Sequence, residues 1–308
     1  MTDTSVGLLG ATSLVGQCLI PLLINSGVRV CAFSRQSVEP VGDAIAWRNL
    51  SDSRAANTDQ LDYWICVAPI WVLPEHFSLI EASGTRRVVV LSSTSRFTKV
   101  GSGEATALQG GRVKNTLLAV ADGDTAETAV AARLIEAEDR FVAWAKSHGI
   151  EWVILRPTLI YGLGRDKNIS EIARFIRRFG FFPVFGRAQG LRQPIHAEDV
   201  AAACFSALQA PDAANRAYNI SGGETLTYRD MVARVFVALG HRPRLLTVPL
   251  WAFRLAVSLL RCLPRYRQWS AAMAERMNRD LVFDHTEAAR DLGFKPRGFA
   301  LAAEDLPG

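Results

Sequence analysis

The stretch Val6-Gly7-Leu8-Leu9-Gly10-Ala11-Thr12-Ser13-Leu14-Val15-Gly16 decides how this chain is read. An apolar run ends at Gly10, small residues follow, and an apolar helix pattern opens at Leu14 and runs to Asn25. Strand, glycine turn and helix form the arrangement a dinucleotide loop requires, because small residues let main-chain amides approach a pyrophosphate at a helix N-terminus. A plain glycine turn is the alternative. The setting between a first strand and a second one, Val28–Phe33, weighs against it.

Working outward, further strands are read at Leu61–Val67, Arg87–Leu91 and Trp152–Leu155. A helix around Arg133–Ser147 carries an inward stripe of Leu134, Phe141, Val142 and Ala145. Strands separated by helices mean a parallel sheet with right-handed crossovers, so the fold class is α/β, a doubly wound Rossmann domain. After Tyr161 the pattern changes. Helices are read at Ile169–Phe179, Ala197–Leu208 and Tyr228–Leu239, a break at Gly180-Phe181-Phe182-Pro183, and a short strand at Ala217–Ile220. These elements predict a smaller C-terminal substrate lobe that is not contiguous in sequence. The expected division is residues 1–165 with 192–222 for the Rossmann domain and 166–191 with 223–308 for the lobe.

Composition narrows the function classes. The chain has 308 residues, 49% hydrophobic and 21% charged, which excludes a mostly disordered protein. Its net charge of +5 comes from 35 basic and 30 acidic residues spread along the chain, which argues against a nucleic-acid partner. The densest basic stretch, Arg242, Arg244, Arg254, Arg261, Arg265 and Arg267, is interleaved with apolar residues. Its apolar part, Leu245–Leu263, includes Arg254 and Arg261 and is therefore not a membrane span. Trp251, Phe253, Leu255, Val257, Leu259 and Leu260 read as the apolar face of a lobe helix roofing the substrate cleft, with peripheral contact to an anionic membrane as the alternative. Five cysteines (Cys18, Cys31, Cys66, Cys204 and Cys262) show no CxxC spacing, so buried thiols in a reducing compartment are expected, with no metal site. The N-terminus shows no signal-peptide pattern, so a cytoplasmic location is the expectation.

The glycine loop resembles that of the extended short-chain dehydrogenases/reductases, the NAD-dependent epimerase/dehydratase family. The family pattern is TGxxGxxG; here Leu9 stands at the threonine and Ser13 at the middle glycine. The resemblance implies a phosphate loop of Gly10, Ala11, Thr12, Ser13, Leu14, Val15 and Gly16. The second strand ends at Ser34 and Arg35, with no acid until Glu39. An acid there would take the ribose hydroxyls, whereas a guanidinium suits a 2′-phosphate, so NADP(H) is expected over NAD(H). Asn49-Leu50-Ser51-Asp52 resembles the family's D-L-x-D segment, and Cys66-Val67-Ala68-Pro69 its small-residue strand end. Asn49, Leu50, Ala68 and Pro69 are thereby implied in the cofactor wall.

Val88-Val-Val-Leu91-Ser92-Ser93-Thr94-Ser95 resembles the family's fifth strand and places Thr94 at the catalytic Ser/Thr, where it would orient a substrate carbonyl or alcohol. Arg156-Pro157-Thr158-Leu159-Ile160-Tyr161-Gly162 resembles the loop beside the nicotinamide and implicates Pro157. Gly190 through Val200 resembles G-x-R-x-x-x-H-x-x-D-V; it puts Arg192 where relatives reach a substrate diphosphate, with His196 a structural residue and Asp199 a helix-start acid. Ala217 through Glu224 and Phe283 through Pro296 resemble the family's later segments, and Thr227 reads as an N-cap.

The family's acid/base is a tyrosine followed four residues later by a lysine, on one helix face. No tyrosine lies between Tyr63 and Tyr161. The best register puts Ala129 at the tyrosine and Arg133 at the lysine, where an arginine is able to hold ribose or phosphate but does not deprotonate. The register stays open by one residue, because the family acid four after the lysine falls at Ala137 or Glu138. Thr94, Lys99, Lys114 and Glu127 are candidates for a replacement acid/base; Tyr161 is read as structural.

The resemblance thus implies an NAD(P)-binding oxidoreductase or epimerase. Its substrate would be a nucleotide-sugar-like or other small carbonyl or alcohol molecule. A non-catalytic NADP(H)-binding sensor or assembly protein is the alternative. Many relatives form homodimers through Rossmann helices, so a homodimer is possible.

Overall fold

The computed structural model describes residues 4–35, 45–50, 60–97, 125–251 and 276–308, with side chains of the third helix described from residue 128. The first strand, β1 (Ser5–Leu9), is buried along its whole length. It leads through the glycine turn into α1 (Leu14–Asn25), which is capped by Ser13 and turns Val15, Leu19 and Leu23 inward. There follow β2 (Arg29–Ser34), β3 (Ile45–Asn49), β4 (Tyr63–Cys66), α2 (Phe77–Ala82), β5 (Arg87–Leu91), α3 (Thr125–Ser147) and β6 (Glu151–Pro157). The second half contains β7 (Ile160–Tyr161), α4 (Ile169–Phe179), β8 (Phe182–Phe185), β9 (Leu191–Arg192), β10 (Ile195–His196) and α5 (Ala197–Gln209). It continues with β11 (Arg216–Ile220), β12 (Leu226–Thr227), α6 (Tyr228–Ala238), β13 (Leu245–Val248) and α7 (Thr286–Leu292).

Seven strands form one parallel sheet in the order β11-β6-β5-β4-β1-β2-β3. The chain builds outward from β1 to β3, then crosses back to place β4 on the other side of β1. The switch point therefore lies between β1 and β4, where ligands of open α/β sheets bind at the carboxyl ends of the strands. One face of the sheet packs on α1 and α5 through Leu19, Leu23, Val200 and Cys204. The other packs on α3 through Leu134, Phe141 and Ala145. A separate apolar cluster joins α4, β8 and α6 through Ile172, Ile176, Val184, Val232 and Phe236.

Some local expectations change. The helix read from Arg133 begins at Thr125. Ile45–Asn49 is a sheet strand that the sequence pattern did not announce. Phe182 and Pro183, read as part of a break, belong to β8, which pairs in parallel with β13 as a two-stranded ribbon. A narrow ribbon tolerates proline, which has no N–H to leave unpaired. Leu245–Val248 is that partner strand; of the residues read as the roofing helix only Trp251 is among the described residues, and the arginines from Arg254 to Arg267 lie outside them. Among the described residues no helix is long and apolar enough to cross a membrane. Cys18, Cys31, Cys66 and Cys204 are free thiols, and Cys262 lies outside the described residues.

Candidate functional site

The glycine turn closes against the stretch that follows β4. Gly10 has φ +86°, and a Cβ there would lie 2.5 Å from the Ala68 amide nitrogen. A Cβ at Gly16 would lie 2.4 Å from the Gly10 carbonyl oxygen. Only glycine fits at either position. The Ser13 amide donates to the Gly10 carbonyl (2.9 Å), and its Oγ accepts the Gly16 amide (3.1 Å). The Ser13 hydroxyl thus caps α1 while its own proton still has to be given to another acceptor.

The remaining cofactor candidates fall around this turn. Ser13, Leu14, Val15, Ala68, Pro69 and Pro157 line one cavity. Ala11 is buried beneath the turn and Thr12 is exposed. Ser34 and Asn49 end neighbouring strands in register, and the Leu50 amide donates to the Ser34 carbonyl (2.9 Å). Arg35 is exposed just past β2. Burial lowers the pKa of nearby His76, with a smaller contribution from the Arg35 charge. The Ser51 and Asp52 positions lie outside the described residues, as do Glu39, Lys99, Lys114 and the side chain of Glu127.

The cavity measures about 820 Å³ and opens at the carboxyl edge of the sheet. Leu91 to Ser95, at and just past the end of β5, line it together with Tyr228, Met277, Leu281 and Phe283. Arg165, Lys167, Arg192 and Arg276 supply cations along its lining. The Ser92 hydroxyl donates to Glu138 Oε1 (2.5 Å), and the Thr94 hydroxyl donates to the Pro157 carbonyl (3.1 Å). Each hydroxyl has one proton, so with both protons directed into the protein these oxygens offer lone pairs to the cavity.

Glu138 is the residue the sequence did not single out as functional. It is buried at 1% exposure and accepts from Arg156 Nη2 (2.6 Å), from Arg156 Nε, and from Arg96. Both guanidinium groups lie 5.4 Å from the Phe97 ring centre. Burial pulls each arginine's pKa down to about 10. The clue in the sequence was the acid spacing, which left Ala137 and Glu138 as alternatives.

This anchoring fixes which face of α3 turns to the cavity. With Glu138 turned into the core, the helix presents Val130 and Leu134 to the cavity, one residue on from Ala129 and Arg133. Arg133 instead lies over the Trp71 ring at 4.6 Å, outside the cavity lining. Val130 remains 44% exposed, which leaves open space in front of it.

Arg192 is nearly buried and commits donors to the carbonyls of Leu191 (2.7 Å), Arg279 (2.7 Å) and Arg276. It faces the Tyr228 ring at 5.6 Å. Tyr228 was also missed; burial pushes its phenol up to about 12, which keeps it protonated in the cavity wall at neutral pH. The His196 ring spans Asp305 Oδ1 (2.9 Å) and the Glu198 amide (3.2 Å) as a buried N-cap. Asp199 holds the Arg297 amide and Nε, each at 2.9 Å. Tyr161 is fully buried, donates to the Ala300 carbonyl (3.3 Å), and has its phenol pushed up to about 12 by burial first. Thr227 caps α6. Among the described residues no three His, Cys, Asp or Glu side chains gather as a metal site.

With this geometry established, residues 6–221 match the family described as NAD dependent epimerase/dehydratase. A UDP-glucose 4-epimerase of Vibrio cholerae is 28% identical over 161 residues, 52% of this chain and 47% of that protein. The match thus spans about half the length of that relative. A 2-alkyl-3-oxoalkanoate reductase of Stenotrophomonas maltophilia is 25% identical over 318 aligned positions, 94% of this chain and 93% of the reductase. Among solved structures, the UDP-glucuronic acid 4-epimerase of Bacillus cereus in complex with NAD superposes with a TM-score of 0.67 at 14% identity, covering 98% of this chain and 93% of that one. That likeness carries the fold.

Proposed function

The chain belongs to the NAD dependent epimerase/dehydratase family, and from that premise we propose that it binds NADP(H) at the switch point and interconverts an alcohol and a carbonyl on a small anionic substrate. The carrying observation is the glycine turn pressed against Ala68 and opening onto the cavity that holds Ser92 and Thr94. The close backbone packing that leaves no room for a Cβ at Gly10 or Gly16 sets the turn at the α1 N-terminus, where main-chain amides suit a pyrophosphate. The amides that open α1 would face the phosphate oxygens, and Arg35 would face the 2′-phosphate. Asn49, Leu50, Ala68 and Pro69 would wall the adenosine half, and Pro157 the nicotinamide half.

When bound, the nicotinamide supplies a hydride donor or acceptor. The proton that leaves or joins the substrate oxygen would exchange with water in the open space before Val130, and the chain's own residues bind and orient the substrate. Ser92 and Thr94 present acceptor oxygens, which select the hydroxyl of an alcohol more readily than a carbonyl oxygen. Arg165, Lys167 and Arg276 give the cavity a cationic side suited to a phosphate or diphosphate, as in a nucleotide sugar. Arg192 supports that side through the main chain of Leu191, Arg276 and Arg279. Residues 1–165 with 192–222 would carry the cofactor, and 166–191 with 223–308 the substrate.

The test is a titration with NADPH and NADH, followed by tryptophan fluorescence because Trp71 lines the cavity. NADPH should bind at least about tenfold tighter than NADH, and Arg35→Ala should bring the two together. Absence of binding, or tighter NADH, overturns the reading.

A second reading, binding without turnover, is favoured by one observation: Val130 and Leu134 occupy the helix face turned to the cavity and have no proton to exchange. Oxidation of NADPH with a panel of carbonyl compounds, lost in Thr94→Val, supports the enzyme. Tight NADPH binding with no oxidation across the panel supports the binding protein.

A further inference from the structure

The surface of the lobe far along α4 carries a feature that the cofactor and substrate reading leaves unused. α4 ends at Gly180, whose φ of +72° reverses the chain, and a Cβ there would meet nothing within 4 Å. The reversal brings Phe179 and Phe181 to one tip with ring centres 6.4 Å apart, both within 6 Å of Phe175. Phe179 is 50% exposed and Phe181 36%. Beside them the β8–β13 ribbon sets exposed Leu246 against Pro183, and the Phe182 amide donates to the Arg244 carbonyl (3.0 Å). Three hydrophobic side chains thus stand in water at one edge, on two elements that the ribbon joins.

The charge around this edge is one-sided. Residues 169–184 and 239–251 contain five arginines and one glutamate. The glutamate, Glu171, is held by Arg174 at 2.6 Å. Arg177 reaches back to the Pro307 carbonyl, while Arg178 lies over the Phe179 ring at 5.2 Å. Arg242 and Arg244 are exposed.

We propose that this Phe-Gly-Phe tip and its arginines dock on an anionic membrane surface, with the phenyl rings at the headgroup–acyl boundary and the guanidinium groups on lipid phosphates. Aromatic rings flanked by cations are matched by a surface that is apolar within and negative outside. A second copy of the same edge would bring like charges together, which disfavours a symmetric self-interface. A protruding reversal with open space around Gly180 is suited to entering a soft layer, whereas a protein partner would be matched by a concave or flat apolar face.

Flotation of the full chain with vesicles tests this, using phosphatidylcholine alone and phosphatidylcholine mixed with phosphatidylglycerol. Binding to the mixed vesicles alone is expected, weakening at high salt. Phe179→Ser with Phe181→Ser should reduce it about tenfold or more, and so should Arg178→Glu with Arg244→Glu. The arginine variant should melt at the wild-type temperature and the phenylalanine pair, which gives up ring contacts with Phe175, a few degrees lower but still in one cooperative step, which circular dichroism checks. No flotation with mixed vesicles overturns the proposal, as does flotation that the phenylalanine pair leaves unchanged. A doubled solution mass abolished by the phenylalanine pair identifies a self-interface and overturns it. Retention on polyglutamate without flotation identifies an acidic protein surface and also overturns it.

Discussion

The glycine turn and the cavity face of α3 stand on opposite sides of one cleft, and their sequences depart from the family pattern in different ways. At the turn the departures are tolerated by geometry. Ser13 replaces a glycine yet holds an extended backbone, and the positions where a side chain cannot exist, Gly10 and Gly16, are kept. On α3 the departures remove chemistry: Val130 and Leu134 face the cleft where a proton donor and its cation are expected. The helix is nonetheless held in place by Glu138, Arg96, Arg156 and Ser92. Backbone constraints and buried charge pairs therefore keep the shape of both halves, while Val130 and Leu134 on one half carry no proton to exchange.

The sharpest way to break the comparison is Glu138→Ala. It removes the carboxylate bonded to both largely buried guanidinium groups, leaving them only the charge of Asp139 beside it, and should cost about 3–5 kcal/mol, read from denaturant unfolding. It also removes the acceptor that fixes the Ser92 proton. Glu138→Gln should cost less, since an amide oxygen still accepts. A loss below about 1 kcal/mol for the alanine variant would mean that α3 is positioned by its apolar stripe alone.

Gly10→Ala tests the other side. A methyl group would meet the Ala68 amide in a left-handed conformation, so a loss of about 2–3 kcal/mol is expected, together with loss of NADPH binding. Near-normal stability with binding abolished would sharpen the contrast further, because it would separate the turn's role in the ligand from its role in packing.

The two sides also differed in how legible they were. The turn was readable because its constraint is local: strand, small residues, cap and helix are contiguous, so β1, α1 and the Ser13 position follow from one short stretch. α4 was bounded correctly at both ends, since Gly180 supplies the left-handed stop. The register of α3 was not readable to the residue. Ala129-Val130-Ala131-Ala132 has little polarity contrast, and the choice between Ala137 and Glu138 depends on Arg96 and Arg156, which come from other segments of the chain. β3 and the β8–β13 ribbon were missed for the same reason: strand pairing across tens of residues gives four- or five-residue segments little signal of their own. Tyr228 has no local signature; its burial against Arg192 is a product of the lobe's packing.

A third substitution pair asks how far the α3 face is from a working one. Val130→Tyr places a phenol into open space and should change stability by no more than about 0.5 kcal/mol. Leu134→Lys puts an ammonium group where an apolar side chain is 3% exposed, and should cost about 1–2 kcal/mol because its stem reaches toward the cavity. NADPH should recover part of that loss if the amine meets the ribose, seen as a larger ligand-induced rise in melting temperature than in the wild type. The equivalent pair one residue earlier, Ala129→Tyr with Arg133→Lys, should show no such gain. The reverse result would return the register to Arg133.

The smallest effect is expected at Ser13, where two consequences oppose each other. Ser13→Gly removes the Oγ that accepts the Gly16 amide, and glycine is only a few tenths of a kcal/mol poorer than serine as an N-cap. It also frees that amide to point at a bound phosphate, which is how the family's glycine would act. Stability should therefore fall by about 0.5 kcal/mol or less while NADPH affinity holds or rises. A clear drop in affinity would show instead that the Ser13 proton is itself a ligand of the phosphate. In that case the turn, like α3, has exchanged one side chain's chemistry for another, and the difference between the two sides lies in what each replacement is still able to donate.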